Sequence, residues 1–257
     1  MTNKYLEAFT RFDIDHLSSQ SINLYLANPA MFILKYAHGF RGPQNAAMLR
    51  GTTTDKMIGQ AVMEPSITLG QLEQQADDYF TASLEDVEDE TDNINKELDS
   101  VKTYVNVGVP FYRKLGTPVS YQEQVFLDFD ELPIPITGWC DLEYDDCIRD
   151  IKTSSRSPYK LPEQVSRQLC IYATALDKPK AYADYIVANT RNQSVVTLEC
   201  DDLNLRLDEV YRTSLAIMNL LYNNNINDLV QQFYPDFSDW RWDKASIEAA
   251  KKLWSIK

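Results

Sequence analysis

The chain has no uninterrupted apolar run of about 18 residues, the length a helix needs to cross a membrane, so no membrane span is expected. Its opening stretch, Met1 to Asp13, carries two acidic residues and no apolar segment of the kind that precedes a secretory cleavage site, so no signal peptide is expected there. Cysteine is scarce and scattered. Cys140, Cys147, Cys170 and Cys200 form no Cys-x-x-Cys pair, which leaves zinc and iron–sulfur sites without support and reads as reduced core thiols in a cytoplasmic protein. The two histidines, His16 and His38, are not placed as a catalytic pair and read as structural. No internal repeat and no low-complexity segment is present.

Positive charge is also short. Lys and Arg number 25 against 38 Asp and Glu, a formal net charge of -13. Taken alone this opposes general nucleic-acid binding, because phosphate contacts need Lys and Arg. It does not oppose a local basic patch, and a site that collects divalent cations must itself be acidic. Much of the acidic excess lies between Leu84 and Glu97, which reads as a solvated loop and helix start.

Enough is present for a sizeable core: 257 residues, 44% of them hydrophobic. The first third reads as helical. Ser18 and Ser19 are candidate caps for a helix carrying Ile22, Leu24 and Leu26, and Pro29 suits the first turn of a second that ends at Gly39. Further helices are predicted over 46–63, interrupted or bent near Gly51, and over 69–84 and 94–115. Residues 119–129, 134–144 and 147–153 read as three strands, with a hairpin at Asp145-Asp146 between the last two. A helix over 161–176, strands over 183–188 and 195–199 joined by a turn at Arg191-Asn192-Gln193, and a long amphipathic helix over 201–222 follow. The tail, 233–257, holds Phe237, Trp240, Trp242 and Trp254 and reads as a cover for the core. The order predicts an α/β (α+β) fold: a mixed central β-sheet flanked by helices, with a helical N-terminal part. One domain is expected over 1–257, with a helical part to about 116, an α/β core over about 117–200, and a C-terminal helix and aromatic tail beyond.

The chemistry is concentrated between Gly138 and Ser154. Alternate strand residues share a face, so Asp150 and Lys152 project together while Ile151 points to the core. A tight hairpin brings Asp141 beside them. Two carboxylates are hard oxygen ligands for Mg²⁺ or Mn²⁺, and an ammonium beside them suits phosphodiester hydrolysis. An Asp-x-Lys alternation by itself is common on strands and more often marks an ordinary surface hairpin with a cross-strand pair.

Here it does not stand by itself. Gly138-x-x-Asp141, a short gap, then Asp150-Ile151-Lys152-Thr153 resembles the second and third motifs of the PD-(D/E)XK nuclease superfamily in its RecB-like branch. The helix that follows carries Gln168 and Tyr172, one turn apart, matching that branch's Gln-x-x-x-Tyr. The segment from His16 to Tyr36 is similar to the opening helices of the branch, and Arg50-Gly51-Thr52-Thr53-Thr54-Asp55 resembles its first motif. Asp55 stands where many relatives carry a metal-binding His. Asn28 stands where iron–sulfur members have a Cys before Pro29, and the tail has no cysteine cluster, so the resemblance is to compact phage-type exonucleases without a cluster.

The resemblance implies a restriction-endonuclease-like core and a Mg²⁺- or Mn²⁺-dependent DNA exonuclease acting on free ends of duplex DNA, as in phage-type recombination. It implies catalytic roles for Asp141, Asp150, Lys152, Gln168 and Tyr172. It also implies metal ligation by Asp141, Asp150, Asp55 and the Ile151 carbonyl, and no iron–sulfur cluster. Arg41, Arg50, Ser154 and Ser155 are candidate DNA contacts, with Lys35, Arg156, Lys160 and Arg167 as weaker ones, and Glu123, on the strand before Asp141, is a candidate to face the site. A single-strand annealing protein and a ring-shaped homo-oligomer are partners the family context suggests, in a bacterial or phage-infected cytoplasm. Two other readings stay open: a structure-specific endonuclease of the same fold, and an inactive member that serves as a DNA-binding or assembly module.

Overall fold

A computed structural model describes residues 2–42, 44–86, 94–189 and 193–256. The chain divides into two compact units, Met1–Gly42 with Val125–Gly138 and Asp202–Lys257, and Pro43–Gln124 with Trp139–Asp201. Part of the acidic stretch and most of the predicted Arg191-Asn192-Gln193 turn lie outside the described residues.

The first unit is mainly helical. It holds α1 (Thr2–Arg11), the two-residue strand β1 (Leu17–Ser18), α2 (Ser19–Ala27) and α3 (Pro29–Phe32). Ser18, not Ser19, caps α2: its hydroxyl accepts from the Ser21 amide while the Ser21 hydroxyl accepts from the Ser18 amide, a closed capping box. Asn28 caps α3, with Pro29 in the first turn as expected. The helix then widens into a π-helical turn over Ile33–Ala37, and Gly39, at φ +76°, follows it. The long α8 (Leu203–Asn223) packs on α1, where Arg11 Nη2 donates to the Leu221 carbonyl at 2.7 Å and the Tyr5 and Tyr222 rings lie 4.8 Å apart. Two short helices, α9 (Ile226–Gln232) and α10 (Lys244–Leu253), complete the unit. In the aromatic tail, Trp242 and Trp254 are buried, whereas Trp240 is exposed.

The second unit carries α4 (Ala46–Met63), α5 (Leu69–Ala82), a 3₁₀ turn over Ser83–Asp86 and α6 (Ile94–Leu115). These helices match the predicted ranges closely, except that α4 runs through Gly51 without interruption. The strands are β2 (Ser120–Leu127), β3 (Ile136–Glu143), β4 (Cys147–Ser154), β5 (Lys180–Ala188) and β6 (Gln193–Glu199), with α7 (Glu163–Ala175) between β4 and β5. Strands β2 and β3 run through both units. The six strands form a mixed sheet in the order β1-β3-β4-β5-β6, with β2 also paired to β3. This is the mixed α/β architecture that the element order predicted. The β3–β4 and β5–β6 pairs are antiparallel, and β4–β5 is parallel through the α7 crossover.

The core of this unit lies between α4, α5, α6 and one face of the sheet. Met57, Ile58, Leu72, Phe80, Val105, Val109 and Tyr112 from the helices meet Leu142, Ile151 and Ile186 from the strands. Ile151 therefore faces inward as its position between Asp150 and Lys152 requires. All four cysteines are buried and free. No described helix is long and apolar enough to cross a membrane.

Candidate active site

Asp141 lies on β3 and Asp150 and Lys152 on β4, and the β3–β4 hairpin brings the three together. The link is a direct bond: the Ile151 amide donates to Asp141 Oδ2 at 2.7 Å. Asp150 is 1% exposed. Its Oδ2 lies 2.5 Å from Lys152 Nζ in an ion pair, and its Oδ1 has no hydrogen-bond partner. Lys152 Nζ also donates to Gln168 Oε1 at 3.2 Å, and Gln168 Nε2 donates to the Tyr172 hydroxyl at 3.1 Å. Both predicted residues of α7 thus meet the strand residues, in series: Tyr172 orients Gln168, and Gln168 receives the ammonium. Because an ammonium only donates, Gln168 must turn its carbonyl toward Lys152.

Asp55, on α4, belongs to the same cluster, though not through a direct contact with Asp141. Gln122 on β2 joins them: its Nε2 donates to Asp55 Oδ2 at 2.7 Å and to Asp141 Oδ1 at 3.0 Å. The neighbouring Tyr121 hydroxyl donates to the same Asp55 Oδ2 at 3.1 Å. Neither Tyr121 nor Gln122 was singled out from sequence. Glu123, which was, is exposed. One signal was available. Gly59 sits one turn after Asp55 inside α4, and a Cβ there would fall within 3.0 Å of three ring carbons of Tyr121. A glycine inside a helix marks a close approach, and here it seats the ring that reaches Asp55. A third unpredicted residue is Tyr185 on β5, the register partner of Lys152, whose buried hydroxyl has no partner.

The electrostatics follow from crowding carboxylates in a buried place. Burial, then the charge of Asp150, and then that of Asp55 hold the Asp141 carboxyl well above the usual range. Burial is also the largest influence on Asp55, whose carboxyl is pushed up to about 7 with Asp150 adding to the effect. Burial alone would depress Lys152, but Asp150 and Asp141 outweigh it and keep the ammonium charged. Burial and Asp150 push the Tyr172 hydroxyl up to about 12, so it is a neutral donor and acceptor.

A divalent cation fits this donor set. Asp55 Oδ1 and Asp150 Oδ1 are buried without partners, as suits hard ligands for a cation, while Asp150 Oδ2 is engaged by Lys152. Among the described residues, no three His, Cys, Asp or Glu side chains already stand at metal-ligand spacing. Gln122 Nε2 occupies the space between two of the three carboxylates.

The candidate DNA contacts are placed differently. Arg50 pairs with Glu97, and its guanidinium stands over the Tyr104 ring, 5.8 Å from the centroid. Its charge is thus spent inside the unit. Ser154 closes a local turn with Arg156, its hydroxyl donating to the Arg156 carbonyl at 2.7 Å. Ser155 is exposed directly after β4, and its carbonyl accepts from Asn189 at 2.9 Å. Lys160 is exposed as well, and Arg167 lies 3.8 Å from Glu163. Arg41 and Lys35 belong to the first unit, where Arg41 stands over the Tyr36 ring.

Comparison with known proteins gives a match to the family model for the PD-(D/E)XK nuclease superfamily over residues 16–217. No curated protein matches the chain. A solved structure described as "Crystal structure of SSO0001" aligns with 73% of this chain and 83% of that one, at 12% identity and a TM-score of 0.34.

Proposed function

We propose that this chain, which belongs to the PD-(D/E)XK nuclease superfamily, is a metal-dependent deoxyribonuclease that hydrolyses phosphodiester bonds from the ends of linear duplex DNA. The observation that carries the reading is the convergence of Asp141, Asp150 and Lys152, with the ammonium held between Asp150 and Gln168.

Mg²⁺ or Mn²⁺ held by Asp141, Asp150, Asp55 and the Ile151 carbonyl would polarise a phosphoryl oxygen and make water a better nucleophile. Asp150 and Asp55 offer their unpartnered oxygens as ligands. Ile151 fixes the rotamer of Asp141 through its amide. Lys152 stays protonated, so its task is to stabilise charge on the phosphate and orient the nucleophile, not to accept a proton. Gln168 and Tyr172 set its direction. The unspent Tyr185 hydroxyl is a further donor beside Lys152.

The preference for ends rests on the resemblance to cluster-free phage-type exonucleases. From the same resemblance come an annealing protein that takes up the exposed strand and a ring of copies that makes digestion processive. The test is digestion of end-labelled linear duplex beside a closed circle, with Mg²⁺, Mn²⁺ or EDTA. Shortening from the ends, with the circle intact and no reaction in EDTA, is the expected result. Cutting of the circle would replace the exonuclease by a structure-specific endonuclease. Binding of DNA without cutting under either metal would make the protein a binding or assembly module.

A further inference from the structure

We infer that Gln122 is a displaceable placeholder in the carboxylate site: its amide holds Asp55 and Asp141 together and gives way when a divalent cation takes them. This rests on the reading of those carboxylates as metal ligands.

The backbone supports it first. Gln122 has φ +53°, the left-handed region that residues with a Cβ rarely adopt. Three other described non-glycine residues share that sign, Asp13, Asp177 and Ser255, and each lies just beyond a helix end, where a left-handed residue commonly closes the helix. Among the described residues Gln122 alone does so inside a strand.

The side chains show what the twist achieves. Consecutive residues of a strand normally point to opposite faces. Here Tyr121 and Gln122 reach the same oxygen, Asp55 Oδ2. Left-handed backbone at Gln122 allows this convergence, and functional sites are where such backbone is retained.

Occupancy completes the case. The amide has two hydrogens, and one nitrogen spends both on carboxylates from different elements. Both oxygens of Asp141 are then engaged, Oδ2 by the Ile151 amide and Oδ1 by Gln122. A cation that reaches Asp141 through Oδ1 meets the Gln122 amide already bonded there, and the two then compete for the space between Asp141 and Asp55. A neutral amide bridges two carboxylates without cancelling their charge, so it is the weaker occupant.

The experiment titrates Mn²⁺ alone, by calorimetry, into the wild-type protein, Gln122→Gly and Gln122→Met. Glycine accepts the backbone conformation without strain and removes the side chain. Methionine keeps the length and removes the donors. The expected result is Mn²⁺ binding tightened by roughly tenfold in both variants, from loss of a competing charge-assisted hydrogen bond. Thermal midpoints in EDTA should fall, and their rise on adding Mn²⁺ should grow. A merely structural Gln122 would lower the midpoint and leave affinity unchanged or weaker, and that outcome in the folded glycine variant overturns the inference. Should the methionine variant not fold, the glycine variant decides. An Asp141→Asn control separates the two claims: if it binds Mn²⁺ like the wild type, the ligand reading itself fails.

Discussion

Lys152 Nζ donates to Gln168 Oε1 at 3.2 Å, joining the middle of β4 to the middle of α7. The bond gives the ammonium a fixed direction that the Asp150 ion pair alone would not, since a carboxylate attracts a charge from many angles. The two positions should therefore fail differently. Lys152→Ala removes the charge and should lower the single-turnover cleavage rate about 10²- to 10³-fold. Gln168→Ala leaves the charge but frees it, and a loss of about 10- to 100-fold is expected, as for other groups that orient a site from behind. Equal losses from both substitutions would mean that Gln168 does more than orient.

The seat of Tyr121 gives a second expectation. A methyl group at Gly59 would enter the Tyr121 ring, so Gly59→Ala must tip the ring and loosen its bond to Asp55. Overpacking of this kind costs about 1–3 kcal/mol. Tyr121→Leu should also destabilise, but adding Gly59→Ala to it should cost little more, because the clash is then gone. Urea midpoints for the two single variants and the double variant measure the coupling. Additive losses would show that Gly59 is not there for Tyr121.

On the other side of β4, Arg149 alternates with Asp150 and meets Asp184 of β5. Its Nη1 lies 2.9 Å from each Asp184 oxygen, and Thr197 donates to Oδ1 at 2.6 Å. Asp184 is fully buried, so Asp184→Ala leaves a guanidinium without its partner. A loss of about 3–5 kcal/mol is expected, against a far smaller loss for a joint Arg149→Met, Asp184→Leu replacement. Chemical denaturation measures both. If the joint variant is as unstable as Asp184→Ala, the pair stabilises the sheet by more than mutual compensation.

Much of this was legible because it is local. Strand alternation placed Asp150, Ile151 and Lys152 correctly, and the Asp145-Asp146 step placed Asp141 beside them. Helical spacing put Gln168 and Tyr172 on one face, and the three helices α4, α5 and α6 fell within a few residues of prediction. What escaped depends on partners far away in the chain. The two-residue β1 exists only through its pairing with Ile136 and Thr137. The short α9 has too few residues for a periodic pattern. The π-helical turn after Phe32 is a hydrogen-bond register that side-chain spacing does not announce. Gln122 escaped for a sharper reason: alternation sends it away from Tyr121, and only its left-handed backbone brings the two to Asp55.

The buried carboxylates also set the pH dependence of stability. Asp55 holds its proton up to about pH 7 in the fold, whereas in the unfolded chain it ionises near its ordinary value of 3.8. Between those values the folded state binds more protons, so stability falls as pH rises through this window and levels off above it. Asp141, raised in the same sense, extends the fall. Asp146, which Lys180 holds below the usual range, works in the opposite direction, but only at lower pH, where it still titrates. Urea midpoints in EDTA should therefore decline from about pH 5 to pH 8, and less steeply in Asp55→Asn. Mg²⁺ selects the ionised carboxylates, so binding should release protons and flatten or reverse the decline. A profile in EDTA that Asp55→Asn leaves unchanged would mean that Asp55 is not the buried, proton-holding carboxylate that its neighbours Tyr121 and Gln122 enclose.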